Sequence, residues 1–408
     1  MRFTMGLYCV LVLLCSVVYT KTDSPFGLSK RIGNFSVDFI DHNVASQATG
    51  SNLIISPITV WTVLAVISEG SVDNTLKEIC DVIRIVPEDR VKMRENFKHI
   101  MPYLQVKTST VELKKLNVIF VDNQVAPKKR FSNIATHYDV SFATLNFTEP
   151  KKTAIYVNNV VYNFTKGKIS ELINSNDLLD SHMILTSSLY FKGQWTFNFN
   201  RSLTKKRPFY DSYGNKIGEV NMMYNRHTYP FANIADLKAR VIELPYGKEN
   251  RLSMLIMVPY PNVTVQEMFG NLNIISLDVI FKELMRSIKE FPEDELDAQI
   301  PRFKIESNLD LTESLKSMGI KDLFDYSRAN LMNIMKIPSY VSKVAHKAVI
   351  EVTEEGTTAS AATAAIFTNR IGVTRFEVNR PFGYLIIEKT TQTIAFAAIS
   401  QIAAFDSI

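Results

Sequence analysis

Cysteine is scarce: there are three in 408 residues, and two of them, Cys9 and Cys15, fall within the first fifteen positions. Only Cys80 lies beyond residue 20, which excludes a disulfide-dense scaffold and a cysteine-ligated metal centre. Histidine is also rare, with six residues (His42, His99, His137, His182, His227, His346), none paired at metal-ligand spacing. The chain has no Gly-x-Ser-x-Gly elbow, no Gly-x-Gly-x-x-Gly, no phosphate loop and no His-Glu-x-x-His. The chemistry those motifs carry therefore has no support, and no catalytic residue, metal or obligatory cofactor is expected. Charge of one sign is lacking too: 46 Lys+Arg against 41 Asp+Glu leave +5, in short scattered groups. That balance predicts neither a nucleic-acid partner nor general membrane adhesion. No Ser/Gly/Pro-rich linker divides the chain, and no repeat with a period of about 20–50 residues is evident.

What is present is ordinary globular material, 46% apolar and 21% charged. Length alone favours two domains at about 100–200 residues each, with one large mixed domain as the alternative. Helical spacing marks Pro57–Glu69, with Val60, Trp61, Val63, Leu64 and Ile67 on a broad apolar face. The same spacing marks Asp89–Leu104, through Met93, Phe97, Ile100, Met101 and Leu104. Strand-like runs come later: Met183–Phe191, Val241–Pro245, Ser253–Val258 and Tyr384–Glu388. Helices and strands mingle without regular alternation, which predicts an α+β architecture.

The N-terminus has its own pattern. Arg2 precedes an apolar run from Leu7 to Val18, and charge resumes at Lys21. The run is shorter than the ~20 residues a bilayer requires, so residues 1–20 are expected to be a secretory signal peptide and the chain secreted and extracellular. Their removal takes away Arg2 and lowers the formal charge to +4. Five Asn-x-Ser/Thr triplets, at Asn34, Asn146, Asn163, Asn200 and Asn262, are candidate glycan sites. Cys80 shares a helical face with Leu76, Ile79 and Ile83, the place of a buried structural thiol.

One segment departs from the average. After Glu354-Glu355-Gly356, no charge, glycine or proline occurs from Thr357 to Asn369, and side chains stay small up to Ala365. The paired acids are expected on a solvated surface. The small-residue run reads in one way as an alanine-rich helix, with the acids favourable at its start. It reads equally as a strand whose two faces are both small enough to enter an existing sheet, with Gly356 as its hinge.

Here the chain resembles the serpins, inhibitors that act as suicide substrates of proteases. Lys343-Val344-Ala345-His346-Lys347-Ala348 leading into Glu354-Glu355-Gly356-Thr357 resembles the strand and hinge before the family's reactive-centre loop. Asn379-Arg380-Pro381-Phe382 resembles the motif after it. Asn52-Leu53-Ile54-Ile55-Ser56-Pro57, Thr165-Lys166-Gly167-Lys168-Ile169 and Tyr190-Phe191-Lys192-Gly193-Gln194-Trp195 are similar to further family motifs, in the expected order. The resemblance replaces two domains with one, 21–408, and implies three β-sheets, about eight to nine helices and an exposed loop at about 354–378.

It also implies roles. Glu354, Gly356, Thr357, Ala359, Ser360, Ala361 and Ala362 fit the inhibitory hinge. The scissile bond, sixteen residues beyond the hinge acid, falls at Arg370–Ile371. Arg370 suits an extracellular trypsin-like protease, whose primary pocket carries a carboxylate; Arg375 is a second, less well spaced candidate. Ser56 and His346 match the shutter beneath the insertion point, with Ser187 in place of the usual Asn. The chain departs from the family again at Val160, where Trp is common, and at Ala398, where Gly is. A heparin-like glycosaminoglycan partner is considered at Arg90, Arg94 and Lys98, every fourth residue of one helix, with Lys128-Lys129-Arg130 beside them. The expectation is a non-enzymatic, monomeric protease inhibitor; the alternative is a non-inhibitory carrier on the same fold.

Overall fold

A computed structural model describes residues 25–48, 50–125, 127–356 and 374–401. Residues 1–20, the hinge positions Thr357, Ala359, Ser360, Ala361 and Ala362, and the Arg370–Ile371 bond lie outside the described residues.

Among the described residues there are nine α-helices and three sheets, the mixed α+β content expected. The first half holds α1 (Pro25–Ala45), β1 (Leu53–Ile55), α2 (Pro57–Gly70), α3 (Asp73–Ile83) and α4 (Arg90–Ile100). β2 (Val106–Lys107), β3 (Val111–Asp122), α5 (Lys129–Thr136), β4 (Val140–Leu145) and α6 (Pro150–Phe164) follow. Then come β5 (Met183–Gly193), β6 (Lys205–Tyr210), β7 (Lys216–His227), β8 (Phe231–Ile234), β9 (Ala239–Tyr246) and β10 (Leu252–Pro259). Next are α7 (Val265–Leu272), α8 (Leu277–Glu290), β11 (Leu296–Pro301), β12 (Phe303–Asp310) and α9 (Thr312–Met318). β13 (Lys343–Val352), β14 (Thr374–Glu377), β15 (Phe382–Glu388) and β16 (Thr393–Ser400) complete the order.

Local chemistry accounts for the key boundaries. α2 starts where Pro57 supplies a preset φ and needs no hydrogen-bond partner, directly after extended Ser56. All its residues but Glu69 are buried, so it runs through the core. α4 is shorter than the expected Asp89–Leu104: it stops at Ile100, and Met101–Tyr103 tightens into a 3-10 turn. Pro102 lacks the N–H that would continue the ladder.

The main sheet runs β12-β13-β5-β3-β2, with β4 also on β3. β13 and β5 are parallel, in register from Lys343↔Ile184 to Val349↔Tyr190, while β3 and β12 flank them antiparallel. Alternation divides the faces. Val118, Phe120, Ile184 and Val349 meet Ala154, Val157 and Val161 of α6 on one side. Ile119, Val121, Leu185 and Val344 join α2 in the larger core on the other. Covered on both faces, the centre of this sheet reads as continuous burial. The second sheet, β14-β11-β7-β6, and the third, β1-β16-β15-β10-β9-β8, complete the fold.

Candidate functional site

The expected shutter residues converge under the main sheet. His346 on β13 is fully buried opposite Ser187 on β5, and Ser187 Oγ lies 2.7 Å from His346 Nδ1. On the other side of the ring, the Ser56 backbone N–H donates to Nε2 at 3.0 Å. An N–H can only donate, so Nε2 is the bare nitrogen and Nδ1–H donates to the Ser187 hydroxyl. Burial pushes the His346 pKa down to about 4, with Ser187 opposing the shift. Ser56 therefore acts through its backbone, and its buried hydroxyl has no partner among the described residues.

Sequence reasoning missed a fourth residue here. Asn117 on β3 is the cross-strand partner of Ser187, only 2% exposed, and both its amide atoms lack partners among the described residues. The available signal was an amide standing in the run Leu116–Val121.

At the other end of the gap, β13 and β5 stop pairing at Val349↔Tyr190. Thr353 and Gly356 exchange backbone hydrogen bonds, 2.7 Å and 3.0 Å, closing a tight turn. Trp195 holds that turn twice, through its backbone N–H on the Glu355 carbonyl (3.0 Å) and its indole Nε1–H on the Thr353 carbonyl (2.9 Å). The Phe199 N–H donates to the Glu354 carbonyl at 2.7 Å. The acids overturn the expectation of a solvated pair: Glu354 is 1% and Glu355 6% exposed. Partners distant in sequence hold them. Thr204 Oγ1 donates to Glu354 at 2.7 Å with Arg302 at 4.0 Å, and Arg201 pairs with Glu355 at 3.5 Å.

After the undescribed segment the chain re-enters as β14, parallel to β11. Arg375 lies within that ladder opposite Asp297, and its carbonyl accepts from Arg240. A protease must take its substrate as a free extended strand, so the ladder disfavours Arg375 as a cleavage position.

A family model described as Serpin (serine protease inhibitor) matches residues 30–400. The chain belongs to the serpin family. Serine protease inhibitor 2 of Anopheles gambiae is 30% identical to it over 411 residues, 96% of this chain and 97% of the relative. Leukocyte elastase inhibitor of Xenopus tropicalis is 32% identical, over 90% of this chain and 97% of the relative. Human thyroxine-binding globulin, solved with thyroxine, shares the fold with a TM-score of 0.81 at 23% identity, over 92% of this chain and 98% of that one. Serpins as a class inhibit serine proteases and are not catalysts.

In this serpin the basic stripe considered on α4 is not a free surface. Arg90 donates to the Pro87 and Ser68 carbonyls, and Arg94 grips both oxygens of Glu69 at 3.0 and 3.2 Å. Both guanidiniums thus serve the C-terminal end of α2, where carbonyls lack helical partners and the dipole favours cations. Lys98 is exposed but paired with Glu95 at 2.9 Å, and Lys128 donates to the Met332 carbonyl. Of the sequon residues, Asn34, Asn163 and Asn262 are exposed. Asn146 and Asn200 are partly so, each accepting from the Thr148 or Ser202 of its own triplet. Cys80 is 1% exposed, and burial raises its thiol pKa to about 12.

Proposed function

We propose that this serpin is a secreted inhibitor of a trypsin-like serine protease, attacked at Arg370–Ile371 and trapping the enzyme as an acyl-enzyme. One relationship carries the reading. β13 leads through a buried turn at Gly356 directly into a run of small, uncharged residues, and it lies parallel to β5. A strand returning from that turn between β13 and β5 runs antiparallel to both. Insertion thus exchanges one parallel ladder for two antiparallel ones, each slightly stronger per residue. Small side chains from Thr357 to Ala365 make that entry cheap on both faces.

The protease serine attacks the Arg370 carbonyl, an ester forms and the amine of Ile371 leaves. Insertion of the freed strand then carries the tethered protease away before water resolves the ester. The outcome is a race, so a tenfold slower insertion, about 1.4 kcal/mol of barrier, lets more protease escape. The apolar run at Leu7–Val18 and the five sequons support secretion.

Incubation with trypsin followed by denaturing electrophoresis tests the reading. A covalent complex and a released peptide beginning at Ile371 are expected. The thyroxine-bound fold neighbour keeps one alternative in view, a carrier. Cleavage with no complex at any ratio would favour it over inhibition.

A further inference from the structure

Insertion between β13 and β5 must break the one side-chain bond that crosses their gap among the described residues, from His346 Nδ1 to Ser187 Oγ. This consequence rests on the inhibitory reading. His346 keeps its Ser56 N–H on the far side of the ring, because Ser56 is not on β5. Ser187 keeps nothing: its hydroxyl is fully buried and would be stranded at the moment the sheet opens.

Asn117 answers that loss. It faces Ser187 across the β3–β5 ladder, which insertion leaves intact, and in-register residues of neighbouring strands share a face. Such pairs place their Cβ atoms about 4.5–5.5 Å apart, within reach of an amide and a hydroxyl. Other buried amides in this protein are committed. Asn225 donates to the Phe197 and Asn198 carbonyls and to Tyr229, and Asn43 donates to the Phe39 carbonyl and accepts from Ser314. Asn117, at 2% exposure, has neither its donor nor its acceptor paired among the described residues. An idle buried amide raises the free energy of the closed sheet and is satisfied only in a state that brings it a partner.

We infer that Asn117 is a positioning residue for the insertion step: Ser187 passes its hydrogen bond from His346 to Asn117 as the loop strand enters. The exchange works in two directions at once. It destabilises the closed sheet through the idle amide, and it stabilises the open one by giving Ser187 a partner that moves with β5. The freed Nδ1–H of His346 then faces the incoming strand as a donor.

The test is a double-mutant cycle on the full-length protein. Asn117→Leu removes the amide at similar volume, Ser187→Ala removes the group that needs it, and Asn117→Ser keeps a hydroxyl within the same space. Two quantities are read with trypsin: the rate of the initial attack and the fraction of protease that escapes. Asn117→Leu is expected to leave the attack rate unchanged, raise escape about tenfold and resist urea better than the parent. Asn117→Ser should restore the parental escape fraction. In the Ser187→Ala background, Asn117→Leu should change escape no further. If leucine prevents folding, Asn117→Ala takes its place with the same expectations. A second readout needs no protease: a synthetic peptide of residues 357–370 is annealed into the sheet and its uptake rate followed by the gain in heat resistance. Slower uptake in Asn117→Leu that vanishes in the Ser187→Ala background supports the exchange even if trypsin is not trapped. Unchanged escape and uptake in Asn117→Leu, or an equal effect with and without Ser187, overturns it.

Discussion

Gly356 packs against Gly193 so closely that a Cβ at 356 would overlap the Gly193 carbonyl oxygen and stand 2.7 Å from Gln194 Cα and Trp195 N. Its φ of +117° is also one that side chains rarely adopt. The position therefore demands glycine twice over, by contact and by conformation. Gly356→Ala should push the Thr353–Gly356 turn off β5 and cost about 1–3 kcal/mol, the range for residues forced into disfavoured backbone. Trp195 bonds both Thr353 and Glu355 and is one of only two tryptophans, so its fluorescence reports the displacement. An emission spectrum and urea midpoint matching the parent would refute this packing account.

The burial of His346 makes a prediction about pH. Its native pKa of about 4 lies below the ordinary 6.5, so the unfolded chain takes the proton first. The contribution is complete above pH 6.5 and is lost as pH falls towards 4, about 2–3 kcal/mol by pH 4.5. Unfolding free energies of the parent and His346→Gln, measured at pH 7.5 and 4.5, should converge by about that amount. A gap independent of pH would mean that another group carries the titration.

Periodic burial was the legible part of this protein. Val60, Trp61, Val63, Leu64 and Ile67 announced α2, and all four expected strand runs form strands, each two or three residues longer than its apolar signal. Those signals are local, set by side chains a few residues apart. The burial of Glu354 and Glu355 was not legible, because it depends on Thr204, Arg201 and Arg302, which only the tertiary fold brings near. The same holds for α4. Four-residue spacing put Arg90 and Arg94 on one face, but whether that face met solvent or the end of α2 lay outside the local pattern.

Arg94 should accordingly matter for stability. Glu69 is only 4% exposed at its side chain and also accepts from the Tyr138 hydroxyl at 2.7 Å. Removing the guanidinium leaves a buried carboxylate without its cation, so Arg94→Ala should cost about 3 kcal/mol. Lys98→Ala, breaking an exposed pair, should stay within about 0.5 kcal/mol. Urea denaturation separates the two, and equal effects would contradict the inward role of Arg94.

Cys80 should be inert while the protein is folded. A thiol with a pKa near 12 carries almost no thiolate at pH 8, and at 1% exposure it is also shielded from reagent. A thiol-specific chromogenic reagent should therefore detect no cysteine in the native protein at positions beyond residue 20 and one after denaturation. Rapid native labelling would place Cys80 at the surface.

The cleavage assignment makes the sharpest separation. If Arg370 enters the protease's primary pocket, its guanidinium meets a carboxylate there, a charge-assisted pair that a neutral side chain cannot replace. Arg370→Leu should reduce the rate of complex formation with trypsin by at least a thousandfold, about 4 kcal/mol, and open the loop to a chymotrypsin-like enzyme. Arg375→Leu changes a residue held in the β14–β11 ladder and should leave trypsin inhibition as it was. The two variants together locate the bond. Trypsin inhibition that survives Arg370→Leu and disappears with Arg375→Leu would move the scissile bond into β14 and require that strand to leave its sheet before attack.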